Sequence, residues 1–251
     1  MRALDSTIDA LVDAAMASGA RGSREGVRRF IEGVGWMLRT GAPWRDLPER
    51  FGLWNSVFRR FRRWVSSGRW SHVLQRQAEP AEWVLLDSTI IKAHPYAAGA
   101  RGSCAEAEAL GRSRGGFTTK VHAAVSSTGK WLISCLTPGQ PGQDADVRFA
   151  IPLLQDLPPS ISVIADRAYD SNALLEWLAE RGSQAVIPAR KNRGAPRELA
   201  RDAYAVRNVI ERFFGRLKRL RRVGTRYDKT ASSFAGFVAF AALVVEHTSW
   251  S

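Results

Sequence analysis

The chain has 251 residues, with 37 Lys and Arg against 24 Asp and Glu, and therefore a formal net charge of +13 at pH 7. This length allows one catalytic domain with a small appendage, and the positive charge makes a polyanion the first expected partner, although a basic surface without a recognition role would give the same count. The two cysteines lie far apart, which argues against a disulfide framework and a zinc site. No apolar run reaches roughly 18 residues and acids lie near the start, which argues against a membrane helix and a signal peptide. We therefore expect a cytoplasmic protein.

A first, all-helical domain is predicted over residues 1–80. Apolar residues spaced by three and four from Arg24 to about Arg76 predict helices, which the turn-forming segment 40–48 interrupts. In the second helix a stripe of apolar side chains lies opposite a row of arginines between residues 59 and 63. The pattern is typical of a small DNA-binding module, but an ordinary amphipathic helix with solvated arginines would look the same. The tryptophans of this region are expected to build its core.

A second domain is predicted over residues 81–251, where short apolar or β-branched runs alternate with turns. The segments expected to be strands are 83–91, 117–126, 131–138, 162–169 and 184–189. The segments expected to be helices are 144–157, 172–181, 203–222 and 231–247. Three strands in succession, followed by strands joined through helices, predict a mixed α/β sheet of five strands flanked by helices, the order of a ribonuclease-H-like fold.

The connection 92–116 between the first two strands is too long for a tight turn. It is rich in Gly and Ala and carries Arg101, Arg112 and Arg114. We expect it to be a mobile loop.

Two predicted strands present an aspartate directly after an apolar run. Asp87 follows Val-Leu-Leu, and Asp166 follows Val-Ile-Ala. Because these strands are expected to be neighbours, the two carboxylates can converge, although a single aspartate at a strand end is weak evidence. Asp170 is the less favoured alternative to Asp166, since it lies outside the apolar run and fits better as the N-cap of the next helix.

A third acid, Glu211, lies in the basic segment 201–230, which holds ten Lys or Arg against three acids. At about 100° per residue, a narrow arc of one helix would carry Tyr204, Arg207, Glu211 and Lys218. On geometry alone this stripe fits a functional face and an exposed, salt-bridged face equally well.

Three converging carboxylates repel one another unless divalent cations lie between them, and hard oxygen ligands suit Mg²⁺ or Mn²⁺. Two such ions can activate a water or a 3′-hydroxyl and stabilise the leaving oxygen of an in-line displacement, which makes phosphodiester chemistry the expected reaction. Arg207 and Lys218 would then hold phosphates, while Tyr204 would orient a phosphate or stack on a displaced base.

Other polar residues near this site are expected to be structural. His94 and His122 fit ordinary hydrogen-bonding roles better than metal binding. Asp144 and Asp146 precede a predicted helix and are expected to cap it, with support of the site as the alternative.

At these residues the chain resembles the DDE transposases of the insertion-sequence family five, within the larger four-and-five group. The spacing of Tyr204, Arg207, Glu211 and Lys218 matches the Y-R-E-K signature of that group. Similar blocks are TGAPWRDLPERFGLWNSVFRRFRRW in the first domain, DSTIIKAH from Asp87, GRSRGGFTTKVH from Gly111, DRAYD from Asp166 and RRVGTRYDKTASSFAGF from Arg221. Ala205 departs from the pattern, since many relatives have a basic residue there.

The resemblance implies a catalytic and metal-binding triad of Asp87, Asp166 and Glu211, served by two Mg²⁺ or Mn²⁺ ions. It implies DNA contacts by Tyr204, Arg207 and Lys218, and we expect further contacts by Arg112, Arg114 and Lys120.

For the whole protein, the resemblance implies that terminal inverted repeats of an insertion sequence are bound and cut and that the freed 3′ ends attack target DNA. A nucleoid-associated protein that forms a homodimer or higher homo-oligomer on its DNA is then expected. Two other functions stay open: a catalytically silent, truncated or domesticated DNA-binding derivative, and a cellular nuclease on the same fold.

Overall fold

A computed structural model describes residues 2–70, 73, 81–100, 102–139, 144–191, 193–194 and 197–247. The chain forms two compact units. The helical unit comprises Met1–Gln77, Ile91–Glu108 and Arg216–Ser251, and the sheet unit comprises Ala78–Ile90 and Ala109–Gly215. The segment after residue 215 thus groups with the N-terminal helices, whereas the expected division ran from 1–80 to 81–251. Within the described part of the chain, no helix combines the length and the apolar character needed to cross a membrane.

The helices of the described residues are α1 (Arg2–Ala17), α2 (Arg24–Thr40), α3 (Trp54–Ser66), α4 (Asp144–Leu154), α5 (Asn172–Glu180), α6 (Arg201–Ala205), α7 (Asn208–Arg219), α8 (Arg221–Gly224) and α9 (Ala231–His247). Short 3₁₀ turns cover Trp44–Asp46, Glu49–Phe51, Pro95–Ala97 and Arg167–Tyr169. The strands are β1 (Trp83–Ala93), β2 (Gly111–Ser113), β3 (Gly116–Ser126), β4 (Trp131–Pro138), β5 (Ser162–Ala165), β6 (Gln184–Val186) and β7 (Thr225–Arg226).

The described strands form one mixed sheet of seven, and the five predicted strands correspond to β1, β3, β4, β5 and β6. β4 pairs antiparallel with β3, β3 neighbours β1, and β1, β5 and β6 follow as parallel neighbours. β2 pairs antiparallel with β3, and β7 pairs parallel with the end of β1. Helices flank the sheet, so the predicted ribonuclease-H-like α/β class is confirmed, with two short strands added.

The register of β1 and β5 determines where their aspartates lie. Leu85 pairs with Ile164 and Leu86 with Ala165, so the next residue on each strand is an aspartate. Leu86 and Ala165 are buried in a core that also contains apolar side chains of α4 and α5. Burying a side chain of leucine size stabilises the fold by about 1.5–3 kcal/mol, which anchors both strands up to the residue before the acid.

The helical unit has an aromatic core. The Phe61 ring centroid lies 4.5 Å from that of Phe237, and the Trp70 centroid lies 4.8 Å from those of Trp64 and Phe240. Trp64 and Trp70 are buried, as expected for core residues. α9 packs tightly on this core, because a Cβ at Gly236 would overlap the side chain of Val65.

Two expectations for local structure are wrong. The helix predicted over residues 203–222 is interrupted at Val206, since the Arg207 amide bonds to the Tyr204 carbonyl three residues back instead of continuing the four-residue pattern. The predicted strand 162–169 ends at Ala165, where Asp166 caps a 3₁₀ turn. In the connection 92–116, expected as a mobile loop, the described residues include the end of β1, a 3₁₀ turn and β2.

Candidate active site

Asp87 and Asp166 lie at equivalent positions on two adjacent parallel strands, one residue beyond the last paired residues. Asp87 Oδ1 accepts a hydrogen bond of 2.8 Å from the Ser88 amide. Asp166 Oδ1 accepts one of 2.8 Å from the Ala168 amide. One oxygen of each carboxylate is therefore held by the backbone.

Glu211 joins these acids through Arg207. The Arg207 guanidinium donates to Glu211 Oε1 at 2.6 Å and to Asp87 Oδ2 at 3.2 Å. Arg207 lies just before α7 and Glu211 lies in its first turn. The side chains of Arg207 and Asp87 are 19% and 14% exposed, whereas that of Glu211 is 55% exposed. The guanidinium thus bridges two of the three predicted catalytic acids.

The electrostatics of Asp87 reflect this crowding. Burial raises the pKa of Asp87 to about 6, the Ser88 amide and Arg207 lower it, and the charges of Asp166 and Glu211 raise it again. For Arg207 the lowering effect of burial is outweighed by neighbouring groups, Asp87 foremost, so the pKa of the guanidinium is raised. The three acids and Arg207 form one electrostatically coupled group.

The donor chemistry of this group suits a hard divalent cation, since all three acids offer carboxylate oxygens. As the side chains stand, however, no three Asp, Glu, His or Cys residues of the described chain are arranged to hold a metal ion. Arg207 pairs with Glu211 instead, and an ion pair this exposed contributes only about 0–1 kcal/mol. The residues fit the cation in chemistry and in the placement of Asp87 and Asp166 next to each other on neighbouring strands, and the ion pair with Arg207 holds Glu211 away only weakly.

The other residues of the predicted signature lie on either side of Arg207. Tyr204 is half-buried on α6 and interacts electrostatically with Arg207. Lys218 is exposed in the last turn of α7 and belongs to the helical unit. Because the helix is interrupted between Tyr204 and Arg207, the four residues do not form a stripe on one regular helix.

Arg112 and Arg114 are exposed on the antiparallel hairpin that joins β2 to β3. The Arg112 guanidinium lies 5.4 Å from the centre of the Phe117 ring. Arg112 is thus presented from paired backbone and Arg114 from the turn that follows it.

The Lys120 side chain is too buried for a direct DNA contact. Its side chain is 8% exposed, and its ammonium group is 2.5 Å from Asp146 Oδ1. For Asp146, the sequence favours a helix cap, with support of the site as the alternative, and the contacts with Lys120 and Ser88 agree with the alternative. The signal available in the sequence was a Lys and a His at alternate positions, 120 and 122, just before the apolar residues 123–125 of the same strand.

The two histidines have hydrogen-bonding roles. His122 is buried and its Nε2 lies 2.9 Å from Thr137 Oγ1. Burial lowers the pKa of His122 to about 4, so the ring is neutral at pH 7. His94 Nδ1 accepts from the Tyr96 amide at 3.2 Å and caps the turn Pro95–Ala97.

Asp170 is engaged elsewhere. Its side chain is 1% exposed and binds the Arg190 amide at 2.7 Å, Arg193 at 3.2 Å and Arg197 at 2.9 Å. Burial alone would raise the pKa of Asp170, but these donors outweigh it and the pKa is lowered. The expected N-cap role is wrong, since Ser171 caps α5. Asp170 anchors the segment after β6 and is not available as a replacement for Asp166.

Comparison with known proteins gives matches along most of the chain. A family model described as "Putative transposase of IS4/5 family" matches residues 6–74, and two models described as "Transposase DDE domain" match residues 79–198 and 163–247. The chain is 37% identical over 130 residues to the "Putative transposase for insertion sequence element IS6501" of Brucella ovis, covering 51% of this chain and 98% of that protein. It is 47% identical over 85 residues to "Uncharacterized protein y4sN" of Sinorhizobium fredii, covering 33% of this chain and 68% of that protein.

Proposed function

The chain belongs to the DDE transposases of the IS4/5 family, and we propose that it binds the terminal inverted repeats of an insertion sequence, cuts DNA at their ends with two divalent metal ions and joins the freed 3′ ends to target DNA. The observation that carries this proposal is the placement of Asp87 and Asp166 directly after the last paired residues of two adjacent parallel strands, with Glu211 coupled to Asp87 through Arg207.

In this proposal Asp87, Asp166 and Glu211 hold Mg²⁺ or Mn²⁺. Bound ions of this kind activate a water or a 3′-hydroxyl and stabilise the leaving oxygen of an in-line displacement. The protein contributes orientation, because the amides of Ser88 and Ala168 fix one oxygen of each aspartate. Such preorganisation matters because ligands that are already placed need no rearrangement during the reaction.

Arg207 has two roles in the proposal. Without ions it balances the negative charge of Asp87 and Glu211. When divalent ions bind the acids, the Nη1 and Nη2 groups that donate to Glu211 and Asp87 become donors for a phosphate oxygen.

DNA contacts are proposed for five residues that are exposed or partly exposed. They are Tyr204, Arg207, Lys218, Arg112 and Arg114. The burial of Lys120 in an ion pair supports a different role for that residue. Because an insertion sequence has two ends to be joined, we further propose a nucleoid-associated homodimer or higher homo-oligomer on the DNA.

The test is cleavage of a labelled duplex that carries the terminal repeats of the element, with Mg²⁺ or Mn²⁺. Wild type should cut at the repeat end, and Asp87→Asn, Asp166→Asn and Glu211→Gln should not. Removing a residue that merely supports a metal ligand lowers affinity or activity by about 10–100-fold, so loss of a ligand should lower cleavage further. The control is Asp156→Asn, which removes the same charge from an exposed position of the sheet unit.

Other outcomes would assign other functions. Tight repeat binding by wild type without any cutting would identify a catalytically silent DNA-binding derivative. Equal cutting of a scrambled duplex would identify a nuclease without repeat recognition. Normal cutting by any of the three folded variants would reject that residue as a ligand.

A further inference from the structure

A buried chain of polar contacts runs through the sheet unit to Asp87. The Lys120 ammonium on β3 donates to Asp146 Oδ1 at 2.5 Å. The Ser88 hydroxyl on β1 donates to Asp146 Oδ2 at 3.1 Å. The Ser88 amide in turn donates to Asp87 Oδ1 at 2.8 Å. Asp146, on α4, therefore ties β3 to the residue that orients Asp87.

This ion pair is hard to explain by stability alone. The side chains of Lys120 and Asp146 are 8% and 12% exposed, so both charges are largely removed from water. A buried ion pair often contributes no more than a well-packed apolar pair, because its attraction must first offset the loss of hydration. A buried ion pair can, however, hydrogen-bond to residues of the neighbouring site, which an apolar pair cannot do.

Tyr169 adds a further polar group at the same place. Its side chain is 1% exposed and packs in the core with Leu86 and Ala165. Its hydroxyl is buried beside the Ser88 side chain and close enough to Asp146, Asp87 and Asp166 to interact with their charges. In the described part of the chain it has no hydrogen-bond partner of normal geometry. A buried hydroxyl without a partner is unfavourable by about 1–3 kcal/mol, and the groups placed to engage it are the Ser88 side chain and the neighbouring carboxylates.

We propose that Lys120, Asp146 and Tyr169 are positioning residues that hold Asp87 in the orientation required for metal binding. Lys120 fixes Asp146, Asp146 fixes the Ser88 side chain, and the Ser88 amide fixes Asp87 Oδ1, while the Tyr169 hydroxyl offers one more donor to the same carboxylates. Asp87 Oδ2 stays on the side of Arg207 and the other acids. The inference rests on the proposed function, because it assigns Asp87 as a metal ligand.

Two variants test it without leaving a lone buried charge. Tyr169→Phe removes one hydroxyl and keeps the ring in the core. Lys120→Met combined with Asp146→Asn removes both charges of the ion pair together, since a single substitution would bury an unpaired charge. The matched control is Ser183→Ala, which deletes a buried hydroxyl that donates to the Ser160 carbonyl at 2.6 Å elsewhere in the same unit.

Three quantities are measured for each protein: Mn²⁺ affinity by electron paramagnetic resonance titration, affinity for the repeat duplex without metal, and the thermal unfolding midpoint. We expect the double variant to bind Mn²⁺ about 10–100-fold more weakly, as is typical when the partners of metal ligands are removed. Tyr169→Phe should weaken Mn²⁺ binding in the same direction. Duplex affinity without metal should be unchanged in both, and Ser183→Ala should keep the Mn²⁺ affinity of wild type.

The alternative is a purely structural network. Folded Tyr169→Phe protein with the Mn²⁺ affinity of wild type would overturn the inference, as would an equal loss of affinity in Ser183→Ala. If Asp87→Asn weakens Mn²⁺ binding while the positioning variants do not, the proposed metal site stands and the inference alone fails. If wild type binds no Mn²⁺, the proposed metal site fails together with the inference.

Discussion

Arg207 is a cation of the protein placed where a divalent cation is expected to act. It contacts Asp87 at 3.2 Å and Glu211 at 2.6 Å. Opposite charges at such distances attract strongly in a partly buried setting, so the guanidinium offsets the repulsion between the acids. The stability of the free enzyme should therefore depend on Arg207 more than that of the metal-bound enzyme does.

Arg207→Met tests this dependence, since it keeps an apolar stem and removes the charge. We expect the free energy of unfolding without divalent ions to fall by about 1–2 kcal/mol, because Asp87 loses its buried partner. Added Mn²⁺ should then stabilise the variant more than it stabilises wild type. Chemical denaturation with and without Mn²⁺ measures both effects.

Arg181→Met is the control for this measurement. Arg181 is also partly buried in the sheet unit, but it donates to the Leu157 carbonyl and lies 4.5 Å from the centre of the Trp177 ring. Mn²⁺ should not restore the stability that the Arg181→Met variant loses. Equal stabilisation of wild type and Arg207→Met by Mn²⁺ would contradict the idea that Arg207 and the metal ion offset the repulsion between the same acids.

For individual residues, the sequence predicts which side chains come together when their placement follows from the order of the strands. It predicts ion pairs between distant elements poorly. Asp87 and Asp166 could be placed together because each ends an apolar run in strands expected to be neighbours. The pairing of Lys120 with Asp146 joins a strand to a helix 26 residues later, and such separation leaves no periodic signal. A lysine in a basic protein was therefore interpreted as a DNA contact, although its strand is buried.

Among the elements, the presence of an apolar run decides which strands could be predicted. The strands that carry at least one clear apolar run were all predicted, including β5 with only four residues. β2 and β7, of three and two residues, are too short to show alternation. The interruption before α7 was missed for another reason: the apolar spacing continues through Val206, while the hydrogen bonds do not.

The close packing of α9 on α3 predicts how a glycine substitution changes the free energy of unfolding. Gly236→Ala should lower the free energy of unfolding by about 1–3 kcal/mol, because the added methyl group overlaps Val65 on α3. Gly35→Ala, in the middle of α2, meets nothing within 4 Å and should stabilise the protein by up to about 1 kcal/mol through helix propensity. Urea denaturation of both variants gives the comparison.

The two substitutions are expected to change the free energy of unfolding in opposite directions, and this difference tests the packing of α9. Both substitutions add one methyl group within a helix of the helical unit, so propensity alone predicts a gain at both positions. A gain in Gly236→Ala would mean that α9 does not pack on α3 as closely as described.

For the whole molecule, the net charge of +13 makes DNA affinity a function of salt. Each phosphate neutralised by a cation contributes about 0.9 to the slope of log affinity against log salt concentration. Exposed arginines on the β2–β3 hairpin should contribute to this slope, whereas a lysine buried in an ion pair should not.

Replacing both Arg112 and Arg114 by Gln should accordingly reduce the slope by about 2. Lys120→Met combined with Asp146→Asn should leave the slope unchanged, because the two charges already neutralise each other. Fluorescence anisotropy with the repeat duplex over a series of salt concentrations measures the slopes. An unchanged slope in the arginine variant would remove the hairpin from the DNA interface, and a reduced slope in the Lys120–Asp146 variant would restore the direct contact of Lys120 expected from the sequence.

The discontinuous helical unit also sets an order of events during synthesis. Phe237 and Phe240 of α9 close the aromatic core around Phe61 and Trp70, which leave the ribosome well over a hundred residues earlier. The sheet unit, by contrast, has all its residues once Gly215 has emerged. The nascent N-terminal helices therefore carry exposed aromatic side chains until α9 emerges, whereas the strands around Asp87 and Asp166 can already assemble. The helices are thus the part of the growing chain most in need of a chaperone.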